Sequence, residues 1–263
     1  MKTIIILFFA LSAFSLSAQS KTYLFVHGAW HGAWCWKKVV PLIEAEGNRA
    51  FAIDLPGHGE DKSSAAAITL DDYVKKVVAV ANAQQGSVIL VGHSMAGVVI
   101  SQAAEVLGKE KVSKLIYLDA FLPKDGESVL MLAEKAGRAN GAAKSDGPSL
   151  MESLVFSSDQ KTSMVKPDAV APLFYHDCSA QDVAFAKEHV GWQSMACLAT
   201  PVHVTSERYG AIPKYYILCT KAKDLDKSSL VNNMHCEKVV KLESSHSPFF
   251  SMPEKLAEII NGI

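Results

Sequence analysis

Residues 92–97 read Gly92-His93-Ser94-Met95-Ala96-Gly97 and decide the fold of this chain. The apolar run at 87–91 is typical of a buried strand, and the small-residue run at 98–107 is typical of a helix. A strand, a tight turn centred on a serine and a helix form a nucleophile elbow, whose strained turn exposes the serine above a sheet. Ala96 departs from the G-x-S-x-G pattern but is small enough for the turn. We predict that Ser94 is a catalytic nucleophile; the alternative is a glycine-rich turn with an incidental serine.

The composition bounds the class of protein. The 263 residues suit one larger α/β domain or two small ones, and 49% apolar residues are enough for a sizeable core. The net charge is −1 and no long run carries one sign, so nothing indicates a nucleic-acid partner. The five cysteines are scattered, and the sequence shows no metal-ligand cluster. His27 and His31 are four residues apart but lie in a glycine-rich loop, where that spacing predicts no common face, so no metal site is expected.

The first twenty residues differ from the rest of the chain. Lys2 precedes an apolar stretch at 4–14, and small polar residues follow at 15–20. This order predicts a signal peptide at residues 1–20 and an exported protein, either periplasmic or secreted. The apolar stretch is too short to cross a bilayer, so no membrane span is expected in the mature chain. The alternative is an ordinary first strand of the domain.

Strands alternate with helices over most of the remaining chain. The sequence predicts strands at 22–26, 49–53, 87–91, 114–118, 214–219 and 238–242, and helices at 34–46, 70–84, 98–107 and 253–260. This alternation predicts a mostly parallel sheet with helices on both faces. The rhythm breaks at about 123–208, which we interpret as a mostly helical cap inserted into a single α/β-hydrolase domain at 21–263. A second independent domain is the alternative.

The chemistry of a serine nucleophile requires a base and an oxyanion hole. In this fold the order along the chain is serine, acid, histidine, and His246 lies between the last predicted strand and the last helix. We therefore predict His246 as the base. The backbone N–H groups of Met95, after the nucleophile, and Ala29, in the loop after the first strand, are the expected oxyanion donors. The alternative for the Ala29 loop is merely a tight turn.

Four stretches of the sequence resemble the plant methylesterase and hydroxynitrile lyase family and its bacterial esterase relatives. These are Phe25-Val26-His27-Gly28-Ala29-Trp30-His31-Gly32-Ala33-Trp34-Cys35-Trp36, Gly92-His93-Ser94, Tyr117-Leu118-Asp119-Ala120-Phe121-Leu122-Pro123 and Ser245-His246-Ser247-Pro248-Phe249. The resemblance covers nearly the whole chain after residue 20 and is weakest at about 130–170. It implies an α/β-hydrolase core, a Ser-His-Asp triad, small ester substrates and no cofactor.

The acid of the triad departs from the family pattern. The position that resembles the family's usual acid, three residues after Cys219, is occupied by Ala222. Asp119 ends the strand after the elbow helix, a place from which some α/β-hydrolases supply the acid. Asp224 becomes the alternative acid if the loop bulges by two residues, and Asp226 is a weaker version of the same idea. We predict Asp119 first and Asp224 second, and a site without an acid is a further alternative.

Aromatic residues follow the predicted strand tips. Trp30 and Phe121 are the candidates for an apolar substrate pocket, although large apolar residues at such places more often belong to the core.

The resemblance also bears on the type of reaction. The lyases of the family carry a lysine beside the base histidine and tend to have threonine at the place of Gly28. Here Ser247 and Pro248 follow His246, and Gly28 is a glycine. We therefore predict a serine esterase acting on a small-molecule ester of small to medium size. A hydroxynitrile lyase or amidase on the same scaffold, and a non-catalytic binding protein of the same fold, are the alternatives.

Overall fold

A six-stranded sheet forms the centre of the protein, whose computed structural model describes residues 20–139 and 149–263. Its strands lie in the order β2-β1-β3-β4-β8-β9, and every neighbouring pair is parallel. The strands of the chain are β1 (Thr22–Val26), β2 (Arg49–Ile53), β3 (Val88–His93), β4 (Val112–Leu118), β5 (Leu154–Phe156), β6 (Thr162–Val165), β7 (Gln193–Ser194), β8 (Lys214–Cys219) and β9 (Lys238–Leu242). Every residue of β1 and β3 is buried, as expected for strands covered by helices on both faces. The predicted α/β-hydrolase sheet is confirmed.

Helices connect the parallel strands. They are α1 (Val39–Ala45), α2 (Leu70–Ala83), α3 (Ala96–Leu107), α4 (Val129–Ala139), α5 (Pro167–Phe174), α6 (Ala180–His189), α7 (Met195–Ala199), α8 (Pro248–Ser251) and α9 (Pro253–Asn261). None of the helices in the described ranges is both long and apolar enough to cross a bilayer. The helix predicted at 34–46 is wrong in its first part, where a 3-10 turn at Ala33–Trp36 precedes α1.

The register of the sheet places three loops side by side. Val26 pairs with Gly92, and His93 pairs with Leu118. The loops that begin after β1, β3 and β4 therefore start at the same edge. The chain runs from β1 outward to β2 and then returns to the other side of β1 with β3, which makes β1 and β3 a topological switch point. Ligands of open parallel sheets bind at the strands' carboxyl ends beside such a point.

The segment between β4 and β8 contains a small sheet as well as helices α4–α7. Strands β5, β6 and β7 pair antiparallel in that order. The expectation of a mostly helical cap thus missed this sheet, whose strands have three, four and two residues. Residues 140–148 of the predicted cap, and residues 1–19 of the predicted signal peptide, lie outside the described residues.

Candidate active site

The turn after β3 holds Ser94 in a strained backbone conformation. Its φ is 55°, in the left-handed region that is uncommon for residues other than glycine. A Cβ atom on Gly92 would lie 2.9 Å from the carbonyl oxygen of Ala96, and one on Gly97 would overlap the carbonyl oxygen of Phe121. The small residues around the serine therefore let α3 start directly against β3, which is the geometry of a nucleophile elbow.

The loop after β9 brings His246 to the same edge of the sheet. His246 Nδ1 lies 2.6 Å from Oδ2 of Asp119, and the two side chains are 2% and 0% exposed. Because a carboxylate only accepts, Nδ1 carries the proton, and Nε2 keeps the lone pair that a general base needs. Across residues 20–139 and 149–263 no hydrogen bond joins Ser94 Oγ to His246 Nε2, a contact that often tightens only when substrate binds.

The loop after β8 supplies a second carboxylate beside His246. Asp224 Oδ1 lies 3.5 Å from His246 Nδ1, whereas Ala222 is a half-buried side chain without polar atoms. Of the acids considered from the sequence, Asp119 is thus the nearest to the imidazole and Asp224 is the second. Asp226 is exposed. The structure brings together Ser94, His246 and both of the leading acid candidates.

The ammonium group of Lys227 lies between the two carboxylates. Its Nζ donates to Asp119 Oδ2 at 3.2 Å, to Asp224 Oδ2 at 2.7 Å and to the carbonyl oxygen of Leu225 at 3.3 Å. Burial favours the neutral amine, but the two carboxylates outweigh burial and raise the pKa of Lys227 to about 12. Burial also favours a neutral Asp119, yet the charge of Lys227 and the hydrogen bond from His246 outweigh it and lower the pKa of Asp119. Lys227 is therefore a cation and Asp119 an anion at neutral pH.

The same cluster has the spacing of a metal site. Ligand atoms of Asp119, Asp224 and His246 all lie within 4.8 Å of one another. The ammonium of Lys227 already lies between the carboxylates, and its three N–H groups have three acceptors. The positive charge that a metal ion would bring to these carboxylates is therefore already supplied by Lys227.

Gly28 brings the loop after β1 into contact with the elbow. A Cβ atom on Gly28 would lie 2.8 Å from Ser94 Cβ and 2.9 Å from Nδ1 of His93. In the described part of the chain, the backbone N–H groups of Ala29 and Met95 have no hydrogen-bond acceptor. Two unpaired backbone donors next to the serine are what an oxyanion hole requires.

His27 holds the peptide group that contains the Ala29 N–H. The backbone N–H of Leu55 donates to His27 Nε2 at 3.1 Å, so the proton of the neutral ring is on Nδ1. Nδ1 donates to the carbonyl oxygen of Gly28 at 2.8 Å. That carbonyl and the Ala29 N–H belong to one trans peptide and point in opposite directions. Burial lowers the pKa of His27 well below its usual value, so the neutral ring persists.

Two further buried histidines support the loops around the site. His31 Nδ1 lies 2.7 Å from the carbonyl oxygen of Ala29, and its Nε2 lies 2.5 Å from Tyr175 Oη. His58 Nε2 lies 2.7 Å from Tyr73 Oη. Burial lowers the pKa of both imidazoles to about 4. Both rings are therefore neutral at pH 7.

The backbone of the His246 loop is held by the elbow and by the cap. The His93 ring lies 4.3 Å from the ring of His246, and its Nε2 donates to the His246 carbonyl oxygen at 2.9 Å. Ser245 Oγ donates to the Phe174 carbonyl oxygen at 3.0 Å, and the Ser245 N–H donates to Asp177 Oδ2 at 2.7 Å. His93 therefore connects the elbow directly to the loop that carries His246.

The two predicted pocket residues lie beside the nucleophile and are almost covered. Trp30 is 7% exposed, Phe121 6% and Ser94 8%, so the nucleophile and both pocket candidates are largely covered. Trp30 Nε1 donates to the Ser163 carbonyl oxygen at 3.1 Å, and the Gly191 N–H donates to the Trp30 carbonyl oxygen at 2.9 Å. Trp30 therefore connects the loop after β1 to the cap.

Lys227 and the hydrogen bonds of His27 were missed by the sequence analysis. The spacing of Asp224 and Lys227 is three residues, but they lie in a loop, where such spacing predicts no common face. His27 directly follows β1, and its glycine neighbour is the only signal in the sequence for a role in the oxyanion loop.

Comparison with known proteins agrees with this geometry. The sequence model described as "Alpha/beta hydrolase family" matches residues 23–259. Methylesterase 7 of Arabidopsis thaliana is 28% identical over 255 residues, which cover 92% of this chain and 95% of that protein. The crystal structure of polyneuridine aldehyde esterase superposes with a TM-score of 0.82 at 26% identity, covering 93% of this chain and 99% of the other.

A second solved structure resembles this chain as closely as polyneuridine aldehyde esterase does. A pyrethroid hydrolase from Sphingobium faniae JZ-2 has a TM-score of 0.80 and 27% identity, over 92% of this chain and 96% of the other. These relatives confirm the resemblance to plant methylesterases and bacterial esterases that the sequence motifs carry. The match over nearly the whole chain, together with the parallel sheet and the elbow, shows that the protein belongs to the alpha/beta hydrolase family.

Proposed function

We propose that this protein is a serine hydrolase that cleaves small to medium carboxylic esters through an acyl-enzyme on Ser94. The observation that carries the proposal is the buried 2.6 Å contact of His246 Nδ1 with Asp119 Oδ2, beside a strained elbow serine. The esterase and methylesterase relatives support the assignment as a carboxylic ester hydrolase. The low exposure of Ser94, 8%, and the relatives named as methylesterases support a substrate of small to medium size.

In the first half of the reaction, Ser94 Oγ attacks the ester carbonyl carbon and His246 Nε2 accepts the hydroxyl proton. The carbonyl oxygen becomes an oxyanion, and the free N–H groups of Ala29 and Met95 are placed to donate to it. The intermediate collapses, the C–O bond to the alcohol breaks, and His246 returns the proton to the leaving oxygen. An ester of Ser94 and a free alcohol result.

In the second half, water replaces the alcohol. His246 Nε2 takes a proton from water as its oxygen attacks the acyl carbon, and the same donors hold the second oxyanion. Collapse releases the carboxylic acid and returns the proton to Ser94 Oγ. Through both halves the Asp119 carboxylate holds the imidazole in one tautomer and stabilises its protonated form.

The alternative reactions have less support in the geometry. A cyanohydrin lyase of this type needs a lysine that reaches the substrate, whereas Lys227 has no exposed side-chain surface and all of its N–H groups are paired. The absence of an acid at Ala222 was the argument for a non-catalytic binding protein. Asp119 provides a carboxylate beside His246, which removes that argument.

The test compares three reactions of the purified protein. We expect hydrolysis of p-nitrophenyl acetate and butyrate, no cleavage of mandelonitrile, and labelling of Ser94 by a fluorophosphonate probe located by mass spectrometry. Ser94→Ala should lose labelling and at least about 10³-fold of the ester hydrolysis. Absence of labelling in the folded wild type would refute the proposal.

We also propose that the protein is exported to the periplasm or the medium. The basic start, the apolar stretch and the small polar exit within residues 1–20 support this destination. Fractionation of cells that express the chain with and without residues 1–20 tests it. Equal recovery of both forms in the cytoplasm would contradict export.

A further inference from the structure

The imidazole of His246 faces two carboxylates where an ordinary triad has one. Its Nδ1 lies 2.6 Å from Asp119 Oδ2 and 3.5 Å from Asp224 Oδ1, and all three side chains are at most 4% exposed. Asp224 Oδ1 has no hydrogen-bond partner in the described part of the chain. An unpaired carboxylate oxygen is thus aimed at the same proton that Asp119 accepts.

Two ionised carboxylates in a buried site would disturb a histidine base. Each negative charge near the imidazole favours its protonated form, and a protonated imidazole cannot accept the proton of a serine. With two uncompensated charges, His246 would hold its extra proton to higher pH than a histidine beside one carboxylate. The activity of the site would then begin at a correspondingly higher pH.

Lys227 removes that problem by contributing one positive charge. Its side chain is 0% exposed, and it is within 3.2 Å of an oxygen of each carboxylate. The three ionised side chains sum to one net negative charge, the same as the single acid of an ordinary triad. Asp224 and Lys227 come from the same loop, three residues apart, so that loop adds no net charge to the site.

We propose that Lys227 is a positioning residue that sets the net charge beside His246 and fixes Asp119 Oδ2 in line with Nδ1. The proposal rests on the proposed ester hydrolysis, because it concerns the charge and the alignment around the base of that reaction. The lysine does not touch substrate in this arrangement, since its three N–H groups all bind the protein.

Other titratable groups lie around this cluster, on several different elements of the fold. They are His93 in the elbow, His31 after β1, Tyr216 and Cys219 on β8, and Asp177 in the cap. Burial lowers the pKa of both histidines and raises the pKa of the tyrosine and the thiol, so these four groups are neutral. Asp177 faces the Ser245 N–H. The charged groups Asp119, Asp224 and Lys227 are in contact with His246 or with each other, and they set the charge next to His246 Nδ1.

The experiment is a charge-balance cycle on Asp224 and Lys227. The kcat/KM for p-nitrophenyl acetate is measured from pH 5 to 9 for the wild type, Lys227→Met, Asp224→Asn and the double variant. Lys227→Met should move the midpoint of the acid limb up by about one unit or more, and should also lower the activity at high pH because Asp119 loses the contact that aligns it. Asp224→Asn should move it down by about one unit. The double variant restores the net charge and should return the midpoint close to that of the wild type.

A merely structural lysine gives a different pattern. It would lower activity at every pH without moving the midpoint, and the double variant would be no better than Lys227→Met; that pattern overturns the proposal. If Lys227→Met does not fold, Asp224→Asn decides alone, since an unmoved midpoint refutes the proposal and a downward shift supports it. Lys255→Met is the matched control, because Lys255 forms an exposed ion pair with Glu258.

A second readout separates this proposal from the proposed function. The titration of the His246 imidazole is followed by ¹⁵N NMR in the same four proteins, without any substrate. The NMR midpoints should move in the same directions as the kinetic ones, and unmoved midpoints would overturn the charge argument. A wild type that cleaves no ester would instead refute the proposed function and leave the NMR result to decide this one.

Discussion

Replacing Gly28 with alanine is expected to lower kcat by about 10²–10³-fold with little change in KM. The added Cβ would lie 2.8 Å from Ser94 Cβ and 2.9 Å from His93 Nδ1. Neither neighbour can withdraw, because Ser94 is in the elbow and the His93 ring is fixed by its hydrogen bond to the His246 carbonyl oxygen. Carbon atoms normally approach to about 3.5–4.0 Å, so the loop must retreat by about 0.7 Å or more.

Such a retreat carries the Ala29 N–H with it. A donor that starts about 2.9 Å from the oxyanion would end about 3.6 Å away, outside hydrogen-bond distance. One oxyanion donor is then lost from the transition state, where the oxygen carries its charge, whereas the neutral carbonyl oxygen of the ground-state ester gains much less from that donor. This difference is the reason that kcat should fall and KM should not.

The assay is steady-state hydrolysis of p-nitrophenyl acetate, with the melting temperature measured on the same preparations. Overpacking at this position should also cost about 1–3 kcal/mol of stability. Gly137→Ala is the control, because Gly137 lies on the exposed side of α4 and a Cβ there would meet no atom within 4 Å. A folded Gly28→Ala protein with kcat within about threefold of wild type would refute the oxyanion reasoning, since one lost donor costs far more.

Two further predictions follow from the buried groups. Asp119→Asn should lower kcat by about 10³–10⁴-fold in ester hydrolysis, because an amide does not hold the imidazole in the required tautomer; a loss of less than about tenfold would mean that Asp119 is not the acid. Stability should fall between about pH 6.5 and 4, because the unfolded chain protonates His31 and His58 in this window and the folded chain does so only near pH 4. Each histidine lowers the free energy of unfolding by up to about 1.4 kcal/mol per pH unit within this window. A urea midpoint that stays constant from pH 7 to 4.5 would contradict this prediction.

The central sheet and the elbow could be predicted because their signals are local. Strands β8 (Lys214–Cys219) and β9 (Lys238–Leu242) begin and end where the sequence predicts, and α2 (Leu70–Ala83) differs by one residue. The core strands are continuous apolar runs, since the sheet is covered on both faces. Ser94 and His246 follow from their places at the ends of such strands.

The cap sheet and the charge of Lys227 could not be predicted in this way. Strands β5, β6 and β7 are too short to show alternation, and their pairing depends on contacts between distant segments. A lysine is normally expected at the surface, and only the folded structure shows that the Nζ of Lys227 lies between two carboxylates. The choice between Asp119 and Asp224 likewise depended on the path of an irregular loop.

The hydrogen bonds of Trp30 have a mechanical consequence. Its indole and its carbonyl group fasten the residue next to Ala29 to two points of the cap, at Ser163 and Gly191. Any outward displacement of the cap must therefore break both hydrogen bonds or pull the oxyanion loop out of line. A displacement of the cap at Ser163 or Gly191 is thus transmitted to the loop that carries the Ala29 N–H. A substitution in the cap that breaks either hydrogen bond is therefore expected to change ester turnover, even where it lies far from Ser94.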